Sequence, residues 1–305
     1  MARLSDADGV VLRPEEFRLL RDLFSARTGI AFGPESRFAI ERRLRERLAV
    51  LNLANFSEYY HFLRFNPLAD AEWDEALDLV TTNETYFFRE DFQLRAFRDE
   101  VLPLLANQAE QSRTRRLSIW SAGCSTGEEV YSIAILIHQS GLFNRKAPNS
   151  EPLWDVRVHG SDISRRCIAN ARRAVYAGGA FRVTPPEVRR DFFEDRADGF
   201  HVIESIRDMC HFGQMNLLHA DRARVLGNMD AIFCRNMLIY FDAPARKQVI
   251  STFHERLLPG GVLLLGHSES LLNVSTAFEL LHLRGDLIYR KPPAQFRDSR
   301  NPGKV

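Results

Sequence analysis

The chain changes its grammar near residue 116. Before that point, apolar residues recur at helical spacing only. After it, short apolar runs alternate with amphipathic stretches. "RLSIWSAG" leads into "STGEEVYSIAILIHQ", "WDVRVHGSDIS" into "RRCIANARRAVY", and "NMDAIFCRNMLIYF" into "DAPARKQVISTFHERLLPGG", with "VLLLGHSES" as a fourth run. Nearly continuous apolar strands separated by helices can bury themselves only as a parallel sheet covered on both faces. The finish differs. "FELLHLRGDLIYRK" reads as two strands joined at Arg284-Gly285-Asp286, an antiparallel ending.

Residues 14–80 read as four helices and no strand. Pro14 opens the first, whose stripe is Phe17, Leu20, Leu23 and Phe24, and Gly29 closes it. The second follows Pro34 with Ile40, Leu44, Leu48 and Leu51 on one face; "FSEYYHFLRF" and "AEWDEALDLVTT" supply the other two. A small helical domain over 1–82 and an α/β domain over 83–292 are expected. Within the second, 176–212 break the alternation and read as an inserted antiparallel hairpin that includes "GFHVIESIRDM" and "CHFGQ". Residues 293–305 form a polar tail, expected to be mobile.

Forty-one basic against forty acidic residues leave no field that would select nucleic acid as a partner. No apolar run approaches the roughly 20 residues that span a bilayer, and the N-terminus lacks the apolar core of a signal peptide. Cys124, Cys167, Cys210 and Cys234 are far apart with no CxxC pair, as expected of reduced thiols in a cytoplasmic protein without a metal site.

Ligands of doubly wound sheets bind at the carboxyl ends of the strands. The first strand ends in "SAGCSTGEE", where Gly123 and Gly127 allow a tight turn and Ser125 or Thr126 could cap the next helix. The loop is neither GxGxxG nor a lysine-bearing phosphate loop. Glu128 and Glu129 open the helix instead; they either repel a pyrophosphate and suit a ligand with a cationic end, or serve only the helix dipole. The second strand ends in "GSD". Asp162 there either takes ribose hydroxyls or caps the helix near Ser164. Adenosine with an amino-acid tail fits better than a dinucleotide, which points to S-adenosylmethionine and away from a nicotinamide oxidoreductase.

"TTNETYFFRE", "WSAGCSTGEEVYSIA", "GSDIS", "NLL", "FCRNMLIYF" and "GHSES" together, in this order, resemble the chemotaxis receptor methyltransferases, the CheR family. The resemblance runs from about residue 14 to 290. It implies an all-α N-terminal domain followed by a Rossmann-like S-adenosylmethionine-dependent domain, mostly parallel, with an antiparallel C-terminal strand and a small inserted β-subdomain. It implies transfer of the methyl group to receptor glutamates as γ-methyl esters, by a monomer acting on the cytoplasmic helical domain of methyl-accepting chemoreceptors. Carried over, its cofactor contacts fall on Asn83, Thr85, Arg89, Glu129, Asp162, Asn216, Leu217, Arg235 and Asn236, with Glu128 the weaker of the acidic pair. Arg89 and Tyr240 take the catalytic places.

That chemistry explains why "TTNETYFFRE" is rich in polar and aromatic side chains yet holds no nucleophile: the substrate carboxylate is the nucleophile. The alternative for this stretch is a capped helix start with two core phenylalanines. The arginines of "SRFAIERRLRERLAV" are either a solvated face with i,i+4 pairs or, as the family implies, a docking face; Arg42, Arg43, Arg45 and Arg47 are the candidates. The turn "EDRADG" looks short for a subdomain that captures a receptor peptide, so that tether is expected to be absent. His267, Ser268 and Glu269 are expected to shape the pocket floor. A binding module that has lost transfer is the competing function.

Overall fold

The computed structural model describes residues 9–143 and 154–293; of the tail, only Pro293 is among them. Four helices build the first unit: α1 (Pro14–Thr28), α2 (Arg37–Val50), α3 (Phe56–Phe65) and α4 (Ala69–Val80). Their limits follow from local chemistry. Gly29 closes α1 at φ 73° with its N–H on the Ser25 carbonyl, and the Asn55 side chain caps α3 by accepting from Glu58 N. Phe24, Leu44, Phe56, Tyr59 and Trp73 form the common core.

The sequence puts the start of a helical stretch at 81–90 without tracing its course, and the structure supplies that course from Asp91. A rod made of α5 (Asp91–Ala96), a π-helical turn (Phe97–Val101) and α6 (Leu102–Ser112) lays Leu94, Phe97, Val101 and Leu105 into the main core. Pro103 brings no N–H for the preceding turn, and the wide turn lies just upstream of it.

The second unit is β1 (Arg116–Ala122), α7 (Glu128–Ser140), β2 (Asp155–Asp162), α8 (Arg165–Arg173), β3 (Val175–Tyr176), α9 (Pro186–Phe192), β4 (Phe193–Arg196), β5 (Gly199–Val202), α10 (Glu204–Arg207), β6 (Cys210–Gln214), α11 (Ala220–Ala223), β7 (Met229–Cys234), α12 (Ala243–Arg256), β8 (Leu257–Leu265), β9 (Glu279–His282) and β10 (Leu287–Arg290). The main sheet runs β6-β2-β1-β7-β8-β10-β9. Its first five strands are parallel, and β10 lies antiparallel between β8 and β9, as the sequence implied. The chain winds outward one way from β1 to β2 and β6, then the other way from β7 to β8. The switch point therefore lies between β1 and β7.

Three assignments change. "CHFGQ" is β6, paired with β2 from Val158↔Cys210 to Asp162↔Gln214, and not part of the insertion. As a half-exposed edge strand it lacks the apolar signature of its neighbours. The small sheet is β3-β5-β4, and "ESIR" is helix α10. Helix α12 stops at Arg256, and Pro259-Gly260-Gly261 lies inside β8, where the pairing with β7 shifts register. A Cβ at Gly261 would lie 2.9 Å from the Leu258 carbonyl oxygen and 3.0 Å from that of Asp230, so only glycine fits this kink.

Candidate active site

A cavity of about 480 Å³ opens at the switch point, within the range of small-molecule sites. One wall is the carboxyl ends of β1, β2 and β7. The opposite wall comes from the helical unit through Phe32, Ser36, Ile40 and Arg43, and residues 80–89 run between the two.

The glycine loop does what its sequence requires. Gly123 and Gly127 sit at φ 84° and 95°, and a Cβ on Gly127 would lie 2.8 Å from that of Ala171. Neither Ser125 nor Thr126 caps α7, contrary to expectation. Gly127 is the N-cap; Ser125 Oγ donates to the Asn83 carbonyl at 3.0 Å, and Thr126 Oγ1 donates to Glu128 at 2.7 Å. The hydroxyls thus fix the interdomain segment and turn Glu128 away. Glu128 is buried outside the cavity with its carboxyl pushed up by desolvation, while Glu129 faces the cavity.

Asp162 is not the cap of α8; Ser164 is, accepting from Cys167 N. Asp162 Oδ2 accepts from Ser125 N at 2.8 Å and Oδ1 from Ser164 N at 2.9 Å. Burial raises its carboxyl above the ordinary value, with the backbone donors opposing. Each oxygen thus has one backbone donor, and a carboxylate oxygen has room for more than one. Cys124 also lines the cavity, but burial pushes its thiol well above the ordinary range, so it is no thiolate nucleophile.

The floor is organised by Arg235, whose side chain is 2% exposed. It donates to Glu129 Oε2 at 3.0 Å, to Glu90 Oε2 at 3.1 Å and to the Arg89 carbonyl. Its Nε is buried with no protein partner. Glu90, in the left-handed region at φ 54°, also accepts from Asn236 Nδ2 at 3.1 Å. Desolvation would raise its carboxyl, but Arg235 and Asn236 hold it below the ordinary value. Sequence reasoning missed Glu90, whose partners lie about 145 residues away. It also understated Glu269. That carboxylate accepts from the backbone N–H groups of Gly266, Asn236 and Met237 at 2.7–2.8 Å and of Ile239 at 3.3 Å. It thereby holds the loop carrying Arg235, Asn236 (φ 56°) and Tyr240. A Cβ on Gly266 would sit 2.7 Å from Asn236 N, which explains the glycine of "GHSES".

Tyr240 reaches the cavity rim on a 3-10 turn. Its carbonyl accepts from Ala31 N at 2.7 Å, and Asp242 N donates to the Gly29 carbonyl at 3.0 Å, so the end of α1 helps set its position. Arg89 lines the same cavity and donates to the Glu84 carbonyl at 3.0 Å, a backbone acceptor and not a carboxylate. The segment is not a capped helix start: α5 begins only at Asp91. Phe87 is boxed by Tyr176, Phe181 and Phe193, and Phe88 N donates to Ser132 Oγ.

The cavity therefore brings together Asn83, Thr85, Arg89, Glu129, Asp162, Arg235, Asn236 and Tyr240. Asn216 and Leu217 line a small adjoining cleft instead, with the Asn216 amide donating to the Arg27 carbonyl. The four candidate docking arginines, Arg42, Arg43, Arg45 and Arg47, do not form one free face, because successive residues of α2 rotate by about 100°. Arg47 is held by Glu72 at 3.0 and 2.6 Å, since that buried carboxylate requires a partner; Arg45 pairs with Glu41 at 2.6 Å. Arg43 donates to the Val80 and Thr81 carbonyls and lines the cavity, and Arg42 is exposed.

A doubly wound sheet with an acidic, glycine-turned cradle at its switch point defines an S-adenosylmethionine-dependent methyltransferase. Residues 15–81 match the profile "CheR methyltransferase, all-alpha domain", and 83–286 match "CheR methyltransferase, SAM binding domain". The chain is 34% identical over 296 residues to chemotaxis protein methyltransferase 2 of Vibrio cholerae serotype O1, covering 97% of this chain and 99% of that one. It is 33% identical over 292 residues to the chemotaxis protein methyltransferase of Escherichia coli strain K12, covering 94% of each. The chain belongs to the CheR methyltransferase family. No helix among the described residues is long and apolar enough to cross a membrane, and no cluster of His, Cys, Asp and Glu among them could hold a metal ion.

Proposed function

We propose that the chain transfers the methyl group of S-adenosylmethionine to glutamate side chains on the cytoplasmic helical domain of chemoreceptors, forming γ-methyl esters. The observation that carries this reading is the division of the cavity. Its inner end holds Glu129, Asp162 and the buried Arg235, and its rim holds Arg89 and Tyr240. When bound, S-adenosylmethionine supplies a methyl carbon on a cationic sulfur, and transfer to a carboxylate removes both charges.

The chain's own residues then have separate tasks. Asp162 would accept from ribose hydroxyls, Glu129 would answer the ligand's ammonium, and Arg235 holds Glu129 and the Arg89 carbonyl in place for it. Asn83, Thr85 and Asn236 close the sides, and Asn216 and Leu217 reach the ligand through the adjoining cleft. No general base is required, because a glutamate with a pKa of about 4.3 is already ionised. Arg89 orients the acceptor carboxylate without neutralising it, since a grip stronger in the ground state than in the transition state would slow transfer. Tyr240 either donates to the second carboxylate oxygen or lines the methyl with its ring. Residues 1–82 serve receptor recognition, with Arg42 and Arg43 the arginines of α2 best placed for it, and 83–292 serve transfer by a monomer.

The test is incubation with methyl-labelled S-adenosylmethionine and soluble receptor fragments. Label on receptor glutamates that mild base releases as methanol is expected. Cofactor binding without transfer to any matched fragment would show a module that has lost activity.

A further inference from the structure

One part of "TTNETYFFRE" is left over by the reaction: Glu84 and Tyr86. Both line the cavity, and both engage Arg182, which follows the short 3-10 turn Gly178–Phe181 of the inserted subdomain. The Arg182 guanidinium lies 3.9 Å from the centre of the Tyr86 ring and 3.2 Å from the Glu84 carboxylate. Arg89 approaches the same ring at 5.9 Å and donates to the Glu84 carbonyl. Two guanidinium groups are thus gathered around one tyrosine at the rim, one on the catalytic segment and one on the insertion.

The two are held differently. The Tyr86 ring holds the Arg182 guanidinium against its face, and a cation–π contact of this kind uses none of the fork of N–H donors. Its ion pair with Glu84 is exposed, at 49% and 67% of the side chains, and exposed pairs contribute little. A carboxylate arriving from outside could replace Glu84 at small cost and would meet a guanidinium already in position. Residues three or four apart on a helix lie only about 5–6 Å apart between Cβ atoms. A helical substrate that presents one glutamate to Arg89 can therefore present a neighbouring side chain to Arg182.

We propose that Arg182 is a specificity-determining residue that binds a second carboxylate on the substrate helix, three or four residues from the glutamate being methylated, by exchange with Glu84. The proposal rests on the reading of this cavity as a glutamate methyltransferase site. It gives Tyr86 the task of presenting Arg182 and gives Glu84 the task of holding it between turnovers.

The test compares two receptor fragments that differ only at the neighbouring position, Glu in one and Gln in the other, by kcat/KM. Wild type is expected to favour the acidic fragment about fivefold, the upper range for an exposed charge pair. Arg182→Ala should bring the ratio to near one, and Arg182→Glu should reverse it. Both variants should bind S-adenosylhomocysteine as wild type does. A wild-type ratio near one, or a ratio unchanged in Arg182→Ala, overturns the proposal. So does a loss of S-adenosylhomocysteine affinity that matches the loss in kcat/KM, because Arg182 would then only prop Tyr86. If wild type methylates neither fragment, the underlying reading of the site fails and this one falls with it.

Discussion

Arg235→Ala is expected to lower stability by about 3–5 kcal/mol and to abolish binding of S-adenosylhomocysteine. The magnitude is that of removing one partner from a buried charge cluster. The variant leaves Glu90 and Glu129 in the floor of the cavity without the cation that both now share, and frees the Arg89 carbonyl. Arg235→Lys keeps a charge but cannot reach three acceptors in one plane, so partial recovery is expected. Urea unfolding measures the first effect and calorimetry the second; a loss below about 1 kcal/mol would place Arg235 outside the machinery. The cluster also has a pH signature. Glu90 is lowered in the folded state, so its contribution is present above the ordinary carboxylate value of about 4.3 and is lost as pH falls through its folded value.

Arg89→Ala should reduce kcat by about 10²-fold, the effect of misplacing one reacting group. Unlike Arg235, Arg89 is half-exposed and donates to a backbone carbonyl, so the fold should survive. Its two assigned tasks separate by measurement. If it mainly orients the acceptor, affinity for S-adenosylhomocysteine should change by no more than about threefold while kcat falls. If it mainly holds cofactor, the affinity falls by as much as kcat. Arg89→Lys should recover little, because a point charge cannot align both oxygens of a carboxylate.

What could be read from the residues depended on the range of the interactions concerned. Helices α1–α4 announce themselves through local stripes and caps, and β1, β2, β7 and β8 through buried apolar runs. Strand β6 was misplaced because an edge strand of Cys, His, Phe, Gly and Gln carries no periodic signal. Of the rod α5–α6 only the beginning of a helical stretch near 81–90 was legible, since its wide turn and Pro103 break the period. At the site, the motif residues on the loops after β1, β2 and β7 do converge on one cavity. Their supports were hidden. Glu90 and Glu269 act on groups reached only through folding, and nothing in "RERLAV" says that Arg47 is needed by Glu72. A charged residue's partner is decided by tertiary structure; its presence at a strand end is not.

S-adenosylmethionine is expected to bind in the cradle formed by the carboxyl ends of β1, β2 and β7. Calorimetric titration of S-adenosylhomocysteine into wild type and Asp162→Ala tests it directly, with circular dichroism confirming that the variant is folded. One molecule is expected to bind per wild-type chain, and the variant should bind at least about tenfold more weakly, the loss of one to two hydrogen bonds to a charged acceptor. Equal affinity in a folded variant would contradict the account.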